Sequence, residues 1–408
     1  MKLYDRHILD DIRPHYHSPD VLVIHGARQV GKTCLMTLIR EEIAATGAKT
    51  HYIDLEDLRL LAVLNEGPQA LLGYLEESGL LRNKRLYLFL DEIQYVSNPS
   101  PLLKLLRDHH AERLKLIVSG SSSFEIKSKF TDSLAGRTVN FELLPLSFRE
   151  FLHFRGSKIR LDKPVKSPPL VKELETLFRE FVLYGGYPRV ALEKEVKARE
   201  IYLSQVINTY IRKDIRDLAN IRHIQKFNKL IETLAAQCGQ LLNITELANT
   251  AGISRPTVEN YLFILEQTYV IQLLRPFSRN IRGELFKTPK VFFHDTGIAH
   301  LLWLKEFPKT ILGSMLENTV FAELRKDREL GEFFYWRTQD GKEIDFIVPR
   351  REGILPVEVK IAASKIRRSA LQYFHERYKA QRSICLALGG KVKTDDLFEV
   401  RYPWEGVT

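Results

Sequence analysis

Short apolar runs alternate with longer amphipathic segments from Val21 to about Leu146. The apolar runs are rich in leucine, β-branched and aromatic residues and have few polar positions, which is typical of strands buried on both faces of a sheet. Such runs occur at 21–24, 50–53, 86–90 and 114–118. Because strands that alternate with helices usually pair in parallel, this pattern predicts an α/β domain built on a parallel sheet.

Two changes of pattern divide the rest of the chain. Lysine, proline and serine dominate residues 156–170, and Pro168 and Pro169 disfavour regular structure, so we predict a linker there. The next residues have largely helical periodicity, and after Gly313 a helix, three strand-like runs, another helix and a last strand follow. The predicted divisions are an α/β domain at 1–155, a linker at 156–170, a helical domain at 171–305 and a second α/β domain at 306–408.

The loop between the first predicted strand and the following helix carries the Walker A pattern, from Gly26 to Thr33. Its glycines let backbone N–H groups wrap phosphates, Lys32 would reach the β and γ oxygens of ATP, and Thr33 would supply a hydroxyl to Mg²⁺. The positive end of the helix favours phosphate as well. We predict nucleotide contacts along the whole loop, namely Gly26, Ala27, Arg28, Gln29, Val30, Gly31, Lys32, Thr33 and Cys34.

The third predicted strand ends in two carboxylates, Asp91 and Glu92. The carboxyl ends of parallel strands meet at one edge of the sheet, so Asp91 is expected to hold Mg²⁺ through water beside the Walker A loop. Glu92 is the better candidate for polarising the attacking water, which makes it, with Lys32, a predicted catalytic residue. Helix capping by Asp91 is the structural alternative for this pair.

Two further features of the first domain suggest contacts with the γ-phosphate. Ser119 and Ser121 follow the fourth predicted strand and could touch the phosphate or the lytic water, although a serine-rich turn that caps a helix has the same composition. Arg137 could bring a guanidinium to the γ-phosphate of its own or a neighbouring subunit. A structural ion pair is an equal alternative for Arg137.

These motifs resemble the AAA-type P-loop ATPases of bacteria and archaea that carry a C-terminal domain of unknown function. The resemblance rests on GARQVGKT at 26–33, LDEIQ at 90–94, SGSS at 119–122, LAGR at 134–137, PLSFREF at 145–151, GGYP at 185–188, YIRKDI at 210–215 and FHDTG at 293–297. It covers nearly the whole chain and implies an AAA-like nucleotide domain with Ser119 or Ser121 at the sensor position. Ala27 departs from the proline common in such loops, which should matter little because the backbone contacts the phosphates.

The predicted helical domain contains a helix-turn-helix pattern with a tight turn at Gly252 and a second helix that Ser254 caps. That helix keeps one apolar face, formed by Val258, Tyr261, Leu262 and Leu265. The residues left outward near its N-terminus are Arg255, Thr257, Glu259 and Asn260. A groove-reading helix presents its N-terminal residues to DNA, so we predict DNA contacts by Arg255, Thr257 and Asn260.

The segment that follows this helix is basic and has two β-like runs, so it could form a wing that touches phosphates. Its cations are Arg275, Arg279, Arg282, Lys287 and Lys290. We predict a DNA contact for Arg282. The alternative is that the winged helix serves packing or dimerisation, which Glu259 on the outward face favours.

The C-terminal domain is predicted to contain a meander of three strands with Asp345 in the central one. Glu358 and Lys360 lie two residues apart in the next strand and therefore project to the same side. This arrangement resembles the PD-(D/E)XK nuclease fold, which implies Mg²⁺ or Mn²⁺ held by Asp345 and Glu358 with Lys360 orienting or deprotonating water. Glu317 would support the metal shell, and Gln372 would be a polar partner. Cross-strand ion pairs are the alternative.

The predicted architecture is α/β: a P-loop NTPase parallel sheet, then a helical winged-helix domain and a C-terminal α/β restriction-endonuclease-like domain. The net charge of +10 favours a polyanionic partner, although diffuse surface lysine would give the same total. No apolar run reaches the roughly 20 residues that span a bilayer, so we expect a cytoplasmic protein without a membrane partner. The preferred function is an ATP-driven protein that acts on DNA, with the oligomeric state open and a homo-oligomer as one option. The alternative is a nucleotide-controlled binding or regulatory protein whose nuclease-like domain is a scaffold.

Overall fold

The computed structural model of the protein describes residues 2–82, 84–120, 134, 136–215, 221, 223–277, 288–327, 329–380, 382–390 and 396–407. The chain forms two compact units. The first comprises Met1–Leu144 with Gln267–Tyr269, and the second comprises Pro145–Glu266 with Val270–Thr408. The continuous part of the first unit thus ends before residue 155, where the sequence predicted a boundary. Apart from Gln267–Tyr269, the segments predicted as helical and C-terminal domains both belong to the second unit.

A parallel sheet forms the centre of the first unit, and its described strands are five in the order β2-β3-β4-β1-β5. They are β1 (Val21–His25), β2 (Lys49–Asp54), β3 (Leu86–Asp91), β4 (Leu114–Gly120) and β5 (Thr138–Glu142). All neighbouring pairs run parallel, which confirms the predicted sheet. The sequence analysis did not predict β5, because this edge strand alternates polar and apolar residues and has no continuous apolar run.

Helices surround this sheet. They are α1 (Ile8–Ile12), α2 (Lys32–Ala45), α3 (Leu58–Glu66), α4 (Pro68–Glu77) and α5 (Pro99–His110). Buried side chains of β1, β3 and β4 pack with those of α4 and α5 in one apolar cluster. Because the strands are parallel, β1, β3 and β4 end at the same edge, and this edge therefore carries the Walker A loop, Asp91 and Ser119.

Helices also make up most of the first part of the second unit. They are α6 (Phe148–Phe154), α7 (Pro168–Tyr184), α8 (Pro188–Leu192), α9 (Val196–Val206), α10 (Ile224–Ala236), α11 (Ile244–Ala251), α12 (Arg255–Gln267) and α13 (Thr296–Leu304), with a π-helical segment at Ile207–Asp214. The prediction that Pro168 and Pro169 prevent regular structure was wrong. They begin α7, because proline fits the first turn of a helix, where its missing N–H would have no partner. Within the described ranges, every helix is too short or too polar to cross a membrane.

Helices α11 and α12 lie where the sequence predicts two helices separated by a tight turn. Asn243 caps α11 by accepting the N–H groups of Thr245 and Glu246, and Gly252 makes the turn with a φ of 66°. The buried residues of α12 include the predicted apolar face, Val258, Tyr261, Leu262 and Leu265. The antiparallel strands β6 (Ile271–Leu274) and β7 (Lys290–Phe293) follow.

A second sheet lies in the C-terminal part of the chain, with the described strands in the order β12-β11-β10-β9-β8. Strands β8 (Phe334–Arg337), β9 (Glu343–Arg350) and β10 (Gly353–Ala362) form the predicted antiparallel meander, and β11 (Ser383–Gly389) and β12 (Phe398–Arg401) extend it in parallel. Helix α14 (Gly313–Lys326) packs against β10, and α15 (Arg368–Tyr378) precedes β11. The sequence analysis missed β12, which is short and half polar.

Two of the segments that carried the resemblance meet at a structural junction inside the second unit. Asp295 accepts the N–H of Gly186 at 2.7 Å and the N–H of Ile298 at 2.9 Å, so one buried carboxylate caps α13 and holds the turn before α8. A Cβ on Gly297 would lie 2.2 Å from the carbonyl oxygen of Tyr184. The GGYP and FHDTG segments therefore have a packing role here.

Candidate functional sites

The Walker A loop folds tightly between β1 and α2. A Cβ on Gly26 would lie 2.1 Å from the carbonyl oxygen of Leu143, and Gly31 has a φ of 100° just before α2 begins. Both positions therefore require glycine, the first for space and the second for its left-handed backbone. Ala27 and Val30 are buried, while Gln29 is exposed, and Cys34 is half-buried in the first turn of α2.

Lys32 is buried beneath this loop, with 6% of its surface exposed. Its Nζ donates to the carbonyl oxygens of Gly26 at 3.1 Å and Ala27 at 2.9 Å. Burial lowers the pKa of Lys32 to about 8, although the nearby carboxylates of Glu92 and Asp91 oppose this shift. An ammonium group in such surroundings gains from any additional negative oxygen, as a phosphate would supply.

Asp91 is the centre of a hydrogen-bond network at the end of β3. Its Oδ2 accepts the hydroxyl of Thr33 at 2.9 Å, and Tyr52 donates to the same oxygen. Ser119 donates its hydroxyl to Oδ1. A carboxylate and a hydroxyl are the hard oxygen ligands that Mg²⁺ prefers, so Thr33 and Asp91 fit a shared magnesium ion.

Glu92 has a left-handed backbone with a φ of 58°, which is uncommon for a residue with a side chain. Its N–H donates to Asp91 Oδ1 at 3.1 Å and to Ser119 Oγ at 3.2 Å, and Gln94 donates to its carboxylate. The short turn that follows has no side-chain cap, so the helix-capping alternative does not apply there. Glu92 instead borders a cavity of about 360 Å³ that Thr33 and Asp91 also line.

Two residues that the sequence analysis missed support the nucleotide site. Arg6 donates to the carbonyl oxygens of Val30 at 2.9 Å and Leu144 at 2.8 Å, and so fixes the loop to the residues after β5. Tyr52 orients Asp91 from the neighbouring strand, with the guanidinium of Arg40 5.5 Å above its ring. Arg6 could not be found from the sequence because it lies outside every motif. The place of Tyr52 beside Asp91 could have been inferred from the pairing of β2 with β3.

The structure favours the ion-pair alternative for Arg137. Its carbonyl oxygen accepts the N–H of Val21, the first residue of β1, whereas the Walker A loop follows the last residue of that strand. Its Nε pairs with Asp108 Oδ1 at 2.9 Å. A strand rises about 3.3 Å per residue, so the backbone of Arg137 lies more than ~10 Å from the loop of its own subunit. Ser121 lies outside the described residues.

A second cluster of charged residues forms where β9 and β10 pair. Lys360 Nζ lies 2.9 Å from Asp345 Oδ2 and 2.5 Å from Glu358 Oε2. The N–H of Val359 also donates to Asp345 at 2.7 Å. Burial, together with the charge of Asp345, raises the pKa of Glu358 to about 8, and Lys360 opposes that shift. The predicted convergence of Asp345, Glu358 and Lys360 is therefore present in the fold.

Glu317 joins this cluster through a lysine from β7. Asn318 exchanges two hydrogen bonds with the backbone of Phe293, at 2.7 and 3.0 Å, and fixes α14 against β7. Lys290, which is 2% exposed, thereby lies 3.1 Å from Glu317 Oε1 and 2.5 Å from Glu343 Oε1. The prediction that Lys290 touches phosphates from a wing was wrong, because its ammonium group is buried between carboxylates.

The charge balance of this cluster bears directly on the predicted metal site. Burial and the charge of Asp345 raise the pKa of Glu317 to about 7, and Lys290 opposes the shift. Lys360 lies between Asp345 and Glu358, and Lys290 lies beside Glu317. These two ammonium groups therefore balance the negative charge that a metal cation would otherwise balance. Within the described ranges, no group of three or more His, Cys, Asp or Glu side chains is arranged to hold a metal ion. Gln372, the predicted polar partner, is exposed on α15.

The predicted DNA-contacting residues lie at the start of α12. Arg255 and Asn260 are exposed, as is Glu259, and Thr257 is partly buried with its hydroxyl 2.7 Å from that of Ser254. The N–H of Thr257 also donates to Ser254 Oγ at 3.3 Å, so Ser254 caps the helix and its hydroxyl holds Thr257. Arg282, together with Arg279 and Lys287, lies outside the described residues.

Comparison with protein families covers most of the chain. Residues 18–152 match a family described as an AAA domain. Residues 175–309 and 312–402 match two domains of unknown function, DUF8612 and DUF4143. The parallel sheet and the Walker A loop of the first unit match a P-loop NTPase core.

Similar proteins occur in bacteria and archaea. A Haemophilus influenzae protein is 27% identical over 353 residues, which cover 83% of this chain and 82% of that protein. A Methanocaldococcus jannaschii protein is 28% identical over 338 residues, covering 80% and 72%, and both are described as uncharacterized. Among solved structures, the Thermotoga maritima RuvB Holliday junction branch migration motor aligns with a TM-score of 0.34 and 17% identity over 75% of this chain and 96% of RuvB. AMPPCP-bound DnaA from Aquifex aeolicus aligns with a TM-score of 0.28 and 15% identity over 64% and 86%.

Proposed function

We propose that the first unit binds ATP with Mg²⁺ and hydrolyses it, and that the second unit binds DNA. The observation that carries the ATPase proposal is the 2.9 Å contact between Thr33 Oγ1 and Asp91 Oδ2 beside the buried ammonium group of Lys32. This arrangement unites a phosphate-binding cation with two oxygen ligands for magnesium at one edge of the sheet. Magnesium, when bound, would neutralise part of the phosphate charge.

Each side chain of this site has a distinct role in the proposed reaction. When ATP binds, Lys32 donates to phosphate oxygens instead of the carbonyl oxygens of the loop. The negative charge of the phosphates favours the protonated form of Lys32. Glu92 accepts a proton from water while the water oxygen attacks the γ-phosphorus and the bond to the β–γ bridging oxygen breaks. Tyr52 and Ser119 hold Asp91 in place. For Arg137, we propose either contact with the nucleotide of a neighbouring subunit or a purely structural ion pair with Asp108.

DNA binding is proposed for the helix-turn-helix of α11 and α12. The order of α10, α11 and α12 followed by the antiparallel pair β6 and β7 fits a winged helix. The exposed Arg255 and Asn260 at the start of α12 supply a cation for phosphates and an amide for a base edge. The net charge of +10 supports a polyanionic partner.

DNA affinity is expected to fall linearly on a logarithmic scale as salt rises, because phosphate contacts release counterions. Arg255→Glu should weaken binding at low salt by about tenfold or more and reduce the salt slope by roughly one. Arg282→Glu should act in the same direction. Fluorescence anisotropy with labelled duplex DNA measures both, and Lys172→Glu, an exposed change on α7, is the matched control. A wild-type protein without DNA affinity at low salt would remove DNA from the proposal.

Metal-dependent cleavage of DNA by the cluster of Asp345, Glu358 and Lys360 is the second candidate function. The observation that favours it is the convergence of two carboxylates and a lysine on adjacent strands, within 2.9 Å of the shared ammonium group. For Mg²⁺ or Mn²⁺ to bind there, Lys360 has to move off at least one carboxylate. If the lysine stays, the domain is a scaffold, and the protein is a nucleotide-controlled DNA-binding or regulatory protein.

Plasmid nicking with Mn²⁺ separates these two alternatives. A nuclease is expected to convert supercoiled plasmid into nicked circles, and Asp345→Ala or Glu358→Ala should abolish this while ATP turnover stays near the wild-type rate, because the ATP site is in the other unit. Glu352→Ala, an exposed carboxylate of the same domain, serves as the control. Absence of nicking by the wild-type protein, or equal nicking by Glu358→Ala, would assign the cluster to the scaffold.

A further inference from the structure

A cavity of about 480 Å³ opens among helices α6 to α9 of the second unit, away from the clusters described above. Arg155 follows the end of α6, Glu180 and Tyr184 lie on α7, and Arg199 lies on α9. The volume is within the range of about 300–1,000 Å³ that is usual for small-molecule sites. The cavity is therefore large enough for a small ligand.

Two guanidinium groups share one carboxylate oxygen in this cavity. Glu180 Oε2 lies 3.2 Å from Arg155 Nη2 and 3.5 Å from Arg199 Nη2. Arg199 is 4% exposed and also donates from Nε to the carbonyl oxygen of Glu193 at 2.8 Å, and Arg155 makes a long contact of 3.4 Å to the carbonyl oxygen of Ala191. Arg199 Nη1 lies 3.5 Å from the same Glu180 oxygen. Most of these contacts are therefore long, since good charge-assisted hydrogen bonds measure about 2.7–2.9 Å.

Among the residues that line the cavity, cations outnumber carboxylates. Burial lowers the pKa of Arg199 from its ordinary value, while Glu180 only partly opposes this. Lys194 adds a third cation to the lining, against the single carboxylate of Glu180. A buried cation that lacks a well-placed anion is costly, and an additional anion between Arg155 and Arg199 would lower that cost.

The remaining wall of the cavity is apolar. Tyr184 lies under the guanidinium of Arg199, with 4.5 Å from Cζ to the ring centroid. Leu192 and Val196 line the opening and are 44% and 42% exposed, which is high for side chains of this size. A ligand with an apolar body would cover these side chains while its charged end reaches the arginines.

We infer that this cavity binds a small organic anion that has one carboxylate or phosphate group on an aromatic or aliphatic body. The acidic group lies between Arg155 and Arg199 and forms charge-assisted hydrogen bonds with both, and the body packs against Tyr184, Leu192 and Val196. This site is independent of the proposed ATP and DNA functions, because none of its residues belongs to either site.

Isothermal titration with phenyl phosphate, phenylacetate and the neutral benzyl alcohol tests this inference on the full-length protein. At least one anionic probe is expected to bind at least about tenfold more tightly than benzyl alcohol, since one charge-assisted contact contributes on the order of 1.4 kcal/mol or more. The comparison between phosphate and carboxylate probes identifies the preferred acidic group.

Two variants test the position of the acidic group. Arg155→Gln should lower the affinity for the anionic probe by about tenfold. Val196→Glu places a negative charge at the exposed opening and should lower the affinity by a similar factor through repulsion. Arg189→Gln is the matched control, because Arg189 lies over the ring of Tyr202 and does not line the cavity, and it should leave the affinity unchanged. Equal binding of benzyl alcohol, unchanged affinity in both Arg155→Gln and Val196→Glu, or no binding of either anion at millimolar concentration would overturn the inference.

Discussion

Replacing Glu92 by glutamine is expected to lower ATP turnover by about 10²–10⁴-fold and to leave ATP binding intact. The amide keeps the size of the side chain and its contact with Gln94, but it cannot accept the proton of the attacking water. Lys32 and the loop backbone, which hold the phosphates, are unaffected. Single-turnover phosphate release measures the chemical step, and titration with a fluorescent ATP analogue measures binding.

Glu56→Gln is the matched control for this change. Glu56 lines the same cavity and loses the same charge, but it makes no part of the proposed contact with water. Its turnover should stay within about threefold of the wild-type rate, because its effect on the site is limited to screened electrostatics. Equal turnover in Glu92→Gln and wild type would mean that another group activates the water.

Replacing Lys290 by methionine is expected to lower the free energy of unfolding of the second unit by about 3–5 kcal/mol, which is the usual cost of removing one partner from a buried ion pair. Lys290 is 2% exposed and forms ion pairs with both Glu317 and Glu343. Without its ammonium group, the largely buried Glu317 faces Asp345 without the cation that now lies 3.1 Å from it. Urea unfolding followed by tryptophan fluorescence measures the change.

Lys305→Met is the control, because Lys305 is 57% exposed and pairs with Glu232 on the surface. Lys305→Met should change the free energy of unfolding little. Adding Glu317→Gln to Lys290→Met should recover part of the loss, since it removes the carboxylate that was left alone. If Lys290→Met were no more destabilising than Lys305→Met, the cluster would not depend on its lysines for charge balance.

The edge of the sheet that carries the Walker A loop could be predicted from the sequence because its signals are local. The apolar run that becomes β1, the glycines after it and the helix from Lys32 occur in sequence, and parallel pairing then brings Asp91 and Ser119 to the same edge. The antiparallel meander and the outward residues of α12 could be predicted for the same reason, since a period of two or of about 3.6 determines which side chains share a face.

Long-range pairings could not be predicted in the same way. Lys290 has the sequence context of a basic wing, and only the packing of β7 against α14, which Asn318 fixes, buries it beside Glu317. Arg6 donates to the Walker A loop from a segment that lies before β1. Arg137 precedes β5, which pairs in parallel with β1, so it lies at the amino ends of the strands and not at the carboxyl ends that carry the loop. Such contacts depend on tertiary packing, which apolar periodicity does not encode.

The most direct test of the account is steady-state release of phosphate from ATP by the wild-type protein and by Lys32→Ala. Lys32 is the buried cation of the Walker A loop, so its loss should remove ATP turnover and tight binding of ATP with Mg²⁺. We predict ATP turnover that requires Mg²⁺, stops with EDTA and falls to background in Lys32→Ala. Turnover that is equal in Lys32→Ala and wild type would contradict it.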